Sequence, residues 1–234
     1  MCGRYTLATP DPADLRARFP IGESVALRRR YNVAPGDEVL AVTTDRDGAP
    51  RGELLRWGLV PSWAKQPGSG ELKMINARVE TAAQKPAYRR AFERFRCLIP
   101  ADGFYEWQLL PDGSKQPFHI SRSDGQSFAF AGLWSVWRGR TGEQLRSCTI
   151  LTTAANQALA PLHDRMPVIL DPPDEHAWLD ITTPRPRLAE LLAGLDPADT
   201  ALRAVSTAVN DARYDGPACL QDAPPGTSAQ YALF

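Results

Sequence analysis

Apolar positions along this chain fall mostly in short runs bounded by turn signals, so that short strands alternate with turns and a few helices. Glu38 to Thr44 (EVLAVTT) reads as a strand ended by a turn containing Asp47-Gly48, and Leu54 to Val60 as a second strand. Cys97 to Ile99 and Phe104 to Leu109 follow the same pattern. Pro111-Asp112-Gly113 is a turn signal that folds the latter back against Pro117 to Ser121. Ser127 to Trp137 and Leu145 to Thr153 are the strongest strand candidates. Thr9-Pro10-Asp11-Pro12 predicts a helix start leading into Ala13 to Phe19, with Leu15 and Phe19 four apart. Glu80 to Phe95 predicts a helix that Pro86 splits in two, and shorter helices are expected over Asp174 to Leu179 and Arg187 to Leu195. Lys65 to Lys73 (KQPGSGELK) reads as a mobile loop.

No repeat, low-complexity tract or long linker divides this pattern. At 234 residues the chain is long enough to bury one substantial core. The expected class is α+β: a single domain over residues 1–234 with an antiparallel or mixed sheet, curled into a partial barrel and flanked by short helices.

Composition narrows the function classes. With 27 basic and 27 acidic residues the net charge is zero, so any nucleic-acid contact has to come from a local basic patch. No apolar run approaches a membrane span, and the N-terminus lacks a signal-peptide core, so a cytoplasmic protein with reduced thiols and no membrane partner is expected. Cys2, Cys97, Cys148 and Cys219 form no C-x-x-C pair, and His119, His163 and His176 are far apart. That spacing argues against a zinc site or a disulfide framework, and no metal or cofactor is expected.

The chemistry concentrates in a few segments. In Met1-Cys2-Gly3-Arg4-Tyr5-Thr6 a small residue follows the initiator methionine, so the mature chain is expected to begin at Cys2. That residue would then carry an α-amine titrating near roughly 7.7–8.0 beside a thiol. Such a 1,2-aminothiol attacks an amide as a nucleophile or condenses with an aldehyde to a five-membered thiazolidine. In Met74-Ile75-Asn76-Ala77-Arg78, Asn76 can position a nucleophile and Arg78 can grip an anion; a helix cap is the alternative for Asn76. In Ala101-Asp102-Gly103-Phe104-Tyr105-Glu106-Trp107, Glu106 lies between aromatics, a setting that raises a carboxyl pKa; an outward-facing Glu fits the residues too. His163 in Leu162-His163-Asp164-Arg165 is an acid/base candidate that could equally be structural.

Taken in order, MCGRY, YNVAPG, RWGLVPSWA, INARVET, PADGFYEW and LHDRMPVIL resemble the SRAP family (SOS response-associated peptidase), whose members process abasic sites in DNA. The resemblance runs from Cys2 to about Asn210 and implies one SRAP-type domain, with residues 211–234 packed on it as a tail. It implies covalent capture of an abasic site in single-stranded DNA, including at single-strand/duplex junctions, by Cys2 after loss of Met1. Lyase-type and autopeptidase activities are the related expectations. By resemblance Asn76 positions the Cys2 amine, Glu106 handles protons around imine formation, and His163 assists ring opening and reversal. Arg4, Arg78, Arg165 and Thr152 map near phosphates, and Pro35 and Trp63 to where the strand bends. The loop after Trp63 is longer than the family pattern. A monomer is expected, nucleoid-associated when bound to damaged DNA. An N-terminal-nucleophile peptidase and a non-covalent reader of modified DNA are the competing classes, and which of Glu106 and His163 moves each proton is left open by the residues.

Overall fold

The computed structural model of the chain describes residues 2–9, 11–67 and 74–224. Its strands in chain order are β1 (Tyr5–Leu7), β2 (Arg30–Val33), β3 (Glu38–Thr44), β4 (Pro50–Trp57), β5 (Asn76–Arg78), β6 (Arg96–Ala101), β7 (Gly103–Leu109), β8 (Lys115–Arg122), β9 (Phe128–Arg138), β10 (Gln144–Ala154), β11 (Arg165–Pro167), β12 (Ile169–Leu170) and β13 (Thr200–Ala204). The helices are short: α1 (Pro12–Arg18), α2 (Val79–Ala82), α3 (Arg89–Arg94), α4 (Pro172–Leu179) and α5 (Arg185–Leu191).

Five strands close into a ring. β10 runs parallel to β4 with Cys148 opposite Trp57, β4 pairs β3, β3 meets β6 at Val42 and Leu98, β6 pairs β9, and β9 returns to β10 with Trp134 opposite Cys148. β5, β11 and β12 extend this eight-stranded sheet at its margins, and a five-stranded sheet in the order β13-β8-β7-β1-β2 packs against it. The expected class, α+β with a mixed sheet curled into a partial barrel and flanked by short helices, is the one observed.

Strand alternation divides the core in two. Cys97 and Ile99 join Trp57, Phe130, Cys148 and Ile150 in a cluster that also takes Tyr5, Phe104 and Ile120 from the smaller sheet. Leu98 points the other way, into a cluster with Leu40 and Leu133 that is covered by Leu15, Phe92, Trp178 and Leu188 from the helices. Arg96 is buried at this helical face. It is compensated by four backbone carbonyls, among them Trp178 O at 2.6 Å and Asp180 O at 2.7 Å.

Several boundaries moved for local reasons. The second predicted strand starts earlier, at Pro50, and stops at Trp57, because Gly58 takes a φ of 131° and turns its N–H onto Cys148 O at 2.9 Å. Pro86 does split the 80–95 helix, and the two remnants are separated by a turn in which Tyr88 N–H donates to Lys85 O. β1, β2 and β13 were not picked out by the sequence pattern: β1 is only three residues long and buried at all of them, and no position of β13 is buried. The Lys65 to Lys73 loop lies mostly outside the described residues; Ala64 just before it accepts a hydrogen bond from Trp137 Nε1 at 2.8 Å.

Candidate active site

The site assembles where β1, β5 and β7 come together. β1 pairs β7 with Tyr5 opposite Phe104 and Thr6 opposite Gly103, and Tyr105 N–H donates to Arg4 O at 3.0 Å. Continuing that register toward the N-terminus places Glu106 opposite Gly3, beside Cys2. From the other side β5 pairs parallel to β10, with Asn76 opposite Ile150. There the Asn76 side-chain amide donates to the Cys2 carbonyl at 2.7 Å. Among the described residues the Asn76 Oδ1 is buried and has no hydrogen-bond partner, an acceptor held open next to Cys2. Residues 2 and 76, far apart in sequence, are thereby locked together by a bond that secondary structure does not supply.

An open cleft of ≈ 490 Å³ reaches this corner, lined by Arg4, Glu106, Trp107, Lys115, His163 and Asn210. His163 follows β10 in the turn before β11 and is part-exposed. Its Nδ1 accepts the Arg165 N–H at 2.9 Å and lies 2.8 Å from Asp164 Oδ1. Trp107 donates its indole N–H to Asn210 Oδ1 at 2.7 Å, and Arg4 reaches Val209 O at 3.0 Å and Asn32 Oδ1 at 3.4 Å. Asn32 in turn gives its amide to Val209, Asp211 and Tyr214 carbonyls, which ties the segment after β13 to the floor of the cleft.

Burial sets the electrostatics. Glu106 is 4% exposed, and desolvation raises its carboxyl above the ordinary range, opposed in part by His163. Desolvation also pushes the Cys2 thiol up, and the neighbouring Glu106 adds to the shift. The resting sulfur is therefore a neutral thiol. Attack by this sulfur on an electrophile would require its proton to leave during the step.

The family model for SOS response associated peptidase (SRAP) matches residues 1–212. The chain belongs to this family. It is 44% identical over 216 residues to the "Abasic site processing protein YoaM" of Bacillus subtilis, covering 90% of this chain and 93% of that one. It is 36% identical over 194 residues to "Abasic site processing protein YedK" of Escherichia coli, with 82% and 84% covered. "Abasic site processing protein HMCES" of Gallus gallus is 35% identical over 224 residues, with 82% of this chain and 66% of that one covered. Among solved structures, a protein from Bacteroides thetaiotaomicron superposes with a TM-score of 0.85 at 24% identity, over 95% of this chain and all of that one. A phage-related protein from Bordetella bronchiseptica gives 0.71 at 30% identity, over 92% and 99%.

Of the SRAP positions singled out in the sequence, Cys2, Arg4, Asn76, Glu106 and His163 come to one corner, and exposed Arg78 follows Asn76 by two residues. Arg165 does not present its charge to solvent. It is buried, its guanidinium paired to Glu80 at 2.6 and 2.9 Å and bonded to Thr152 O at 2.5 Å. Thr152 is 0% exposed, so in this structure its hydroxyl is not a surface contact. Pro35 is half-buried after β2, and Trp63 is 67% exposed on a different face, in a groove with Trp134 and several arginines.

A second buried polar cluster escaped sequence reasoning. Thr6 Oγ1 donates to Asp102 and lies 3.0 Å from His119 Nε2, while Asp102 also accepts the Ala8 N–H at 2.8 Å and the Thr9 N–H. Desolvation lowers His119 to about 4, so it is neutral at physiological pH. These bonds tie β1 to the β6–β7 turn and to β8, next to the β1–β7 pairing that sets Cys2 beside Glu106. The signal was Asp102 in the same motif as Glu106, but no spacing rule links it to Thr6.

Proposed function

We propose that this protein captures abasic sites in single-stranded DNA covalently through the Cys2 amine and thiol after Met1 is removed. The observation that carries the reading is the Asn76 amide. One end holds the Cys2 carbonyl at 2.7 Å, and the other end is a buried oxygen with no partner among the described residues, suited to accept from the freed α-amine. Relatives named abasic site processing proteins support the substrate class.

The ring-opened abasic sugar presents an aldehyde at C1′. The amine nitrogen adds to that carbon, and the carbinolamine oxygen leaves as water after taking a proton, giving a Schiff base. The thiol then adds across the C=N bond: sulfur bonds to carbon and its proton ends on nitrogen, which closes the thiazolidine. Glu106, whose carboxyl burial biases toward the protonated form, would supply the proton that water carries away. Because both nucleophiles sit on one residue, ring closure is intramolecular and fast relative to a bimolecular thiol. A neutral resting thiol fits this order, with the amine acting first.

A denaturing gel tests the reading. Mature protein with a free Cys2 terminus, mixed with a single-stranded oligonucleotide carrying one abasic site, is expected to give a heat-stable shifted band. The band should be absent with Cys2→Ala and with undamaged DNA. No adduct from protein whose terminus is verified by mass spectrometry would overturn the mechanism.

A further inference from the structure

A broad concavity among the described residues lies away from Cys2. It is a groove of ≈ 1690 Å³ whose walls are the β3–β4 turn, α3, the meeting ends of β9 and β10, and the segment around Trp63. Seven arginines line it against three aspartates, in a chain whose net charge is zero. Five of the seven, Arg46, Arg89, Arg90, Arg94 and Arg138, are exposed and have no ion pair among the described residues; Arg90 lies over the Phe95 ring at 5.6 Å, and the other four make no such ring contact. Two of the aspartates are engaged by their own loops: Asp45 accepts the Asp47 and Ala49 amides, and Asp180 accepts from Thr182. Counting Glu53, which pairs with Arg51 and Arg146, seven guanidiniums still outnumber four carboxylates, so the groove keeps an excess of positive charge.

Aromatic surface accompanies the charge. Trp63 is 67% exposed, and Trp134 forms part of the same wall with Arg146 stacked on its ring at 4.4 Å. The indole N–H of Trp134 is buried without an acceptor among the described residues. Unpaired guanidinium forks suit phosphate oxygens, and an exposed indole suits a base face. An acidic polypeptide would satisfy the charge but leave the exposed ring unexplained.

β10 links this groove to the candidate active site. Ile150 pairs with Asn76, and Arg146, four residues earlier on the same strand, lines the groove, about 13 Å along the strand. We propose that the arginine groove is a second DNA-binding site, which holds the sugar–phosphate backbone several nucleotides from the lesion captured at Cys2. The choice of DNA as occupant rests on the abasic-site reading above. The groove would supply the salt-sensitive part of affinity, leaving the cleft at Glu106 to recognise only the lesion itself.

The test uses two arms. In the first, fluorescence anisotropy measures binding of an undamaged single-stranded 20-mer to Cys2→Ala protein across a salt series, with and without Ala at Arg46, Arg89, Arg94 and Arg138. The four-fold variant is expected to bind about tenfold or more weakly at low salt. Its log K against log salt should be flatter by about 3, at about 0.7 per lost contact. Lys at the same four positions keeps the charge and should keep the slope, which separates lost charge from a damaged fold. In the second arm, protein with Cys2 intact is given an abasic trinucleotide, too short to reach the groove, and an abasic 20-mer. The Ala variant should crosslink the trinucleotide at the wild-type rate and the 20-mer more slowly at sub-saturating protein. Wild-type slope in the first arm, an equal fall for both substrates in the second, or displacement of the 20-mer by poly-glutamate at equal charge concentration would each overturn the proposal. The first arm requires no covalent chemistry, so failure of all crosslinking would sink the abasic-site reading and leave the groove to be judged by binding alone.

Discussion

Glu106 shows how one residue's environment becomes a measurable property. Its carboxyl is enclosed by β7 and the N-terminal segment, and burial disfavours the ionised form. A carboxyl with a raised folded value holds its proton more tightly folded than unfolded. Its contribution to stability is therefore present below the ordinary carboxylate range and is lost as pH rises through the folded value. Glutamine at this position suffers no such loss. Glu106→Gln is expected to melt above wild type at about pH 8, with the gap closing toward about pH 4, followed by thermal unfolding across that range. Parallel melting curves at every pH would show that the buried carboxylate is not the cause. The same variant should slow adduct formation near neutrality, since the amide cannot give up a proton to the departing water.

At the scale of elements, the site depends on how closely β1, β7 and β8 approach. A Cβ at Gly103 would lie 2.1 Å from His119 Nε2 and 2.9 Å from the Ile120 carbonyl oxygen, inside any tolerable contact. The glycine is needed here for close approach rather than for an unusual backbone angle. Gly103→Ala is expected to cost about 1–3 kcal/mol in urea unfolding, the range of overpacked cores. Combining it with His119→Ala should recover part of that loss, because the nearest clash is with the imidazole. Strict additivity of the two would argue that Gly103 and His119 do not press on one another. α1 illustrates the converse, an element set locally: Asp11 accepts the Ala13 N–H at 2.9 Å, Pro12 opens the helix, and Leu15 reaches the core.

Across the whole molecule, the segment after β13 acts as a clasp. Asp215 accepts the Tyr31 and Asn32 N–H groups at 2.6 and 2.8 Å and the Arg30 Nε, stitching the end of the described chain to β2. Val205, Val209 and Cys219 form a small core with Tyr105 from β7, and Tyr105 closes the circuit by donating to Tyr31 O at 2.8 Å. Asp215→Ala removes a charged acceptor from two backbone donors and one guanidinium, and should lower stability by about 2–3 kcal/mol in chemical denaturation. A loss below about 0.5 kcal/mol, typical of surface sites, would mean that the clasp is ornamental to the fold. Through Arg4, which this segment bonds at Val209 O, the same variant is expected to loosen the cleft beside Glu106.

Apolar runs in β3, β9 and β10 were enough to find those strands, because each is buried on both faces and sends successive side chains into opposite clusters; β7 and β8 were marked by their apolar residues around the Pro111-Asp112-Gly113 turn. Gly and Pro marked the turns at 47–48 and 111–113, and Pro86 the break between α2 and α3, since their backbone limits act within a residue or two. Family motifs likewise pointed to Cys2, Asn76, Glu106 and His163 as a set. What the local pattern did not carry was anything made by distant segments. β1 and β13 exist because β7 and β8 offer open edges, not because their own residues alternate. The buried pairing of Arg165 with Glu80, the neutral state of the Cys2 thiol, the Thr6–Asp102–His119 cluster and the gathering of arginines around Trp63 all follow from burial and proximity. Residue types and short-range periodicity are properties of the chain, whereas desolvation and long-range contact exist only once the sheets have closed.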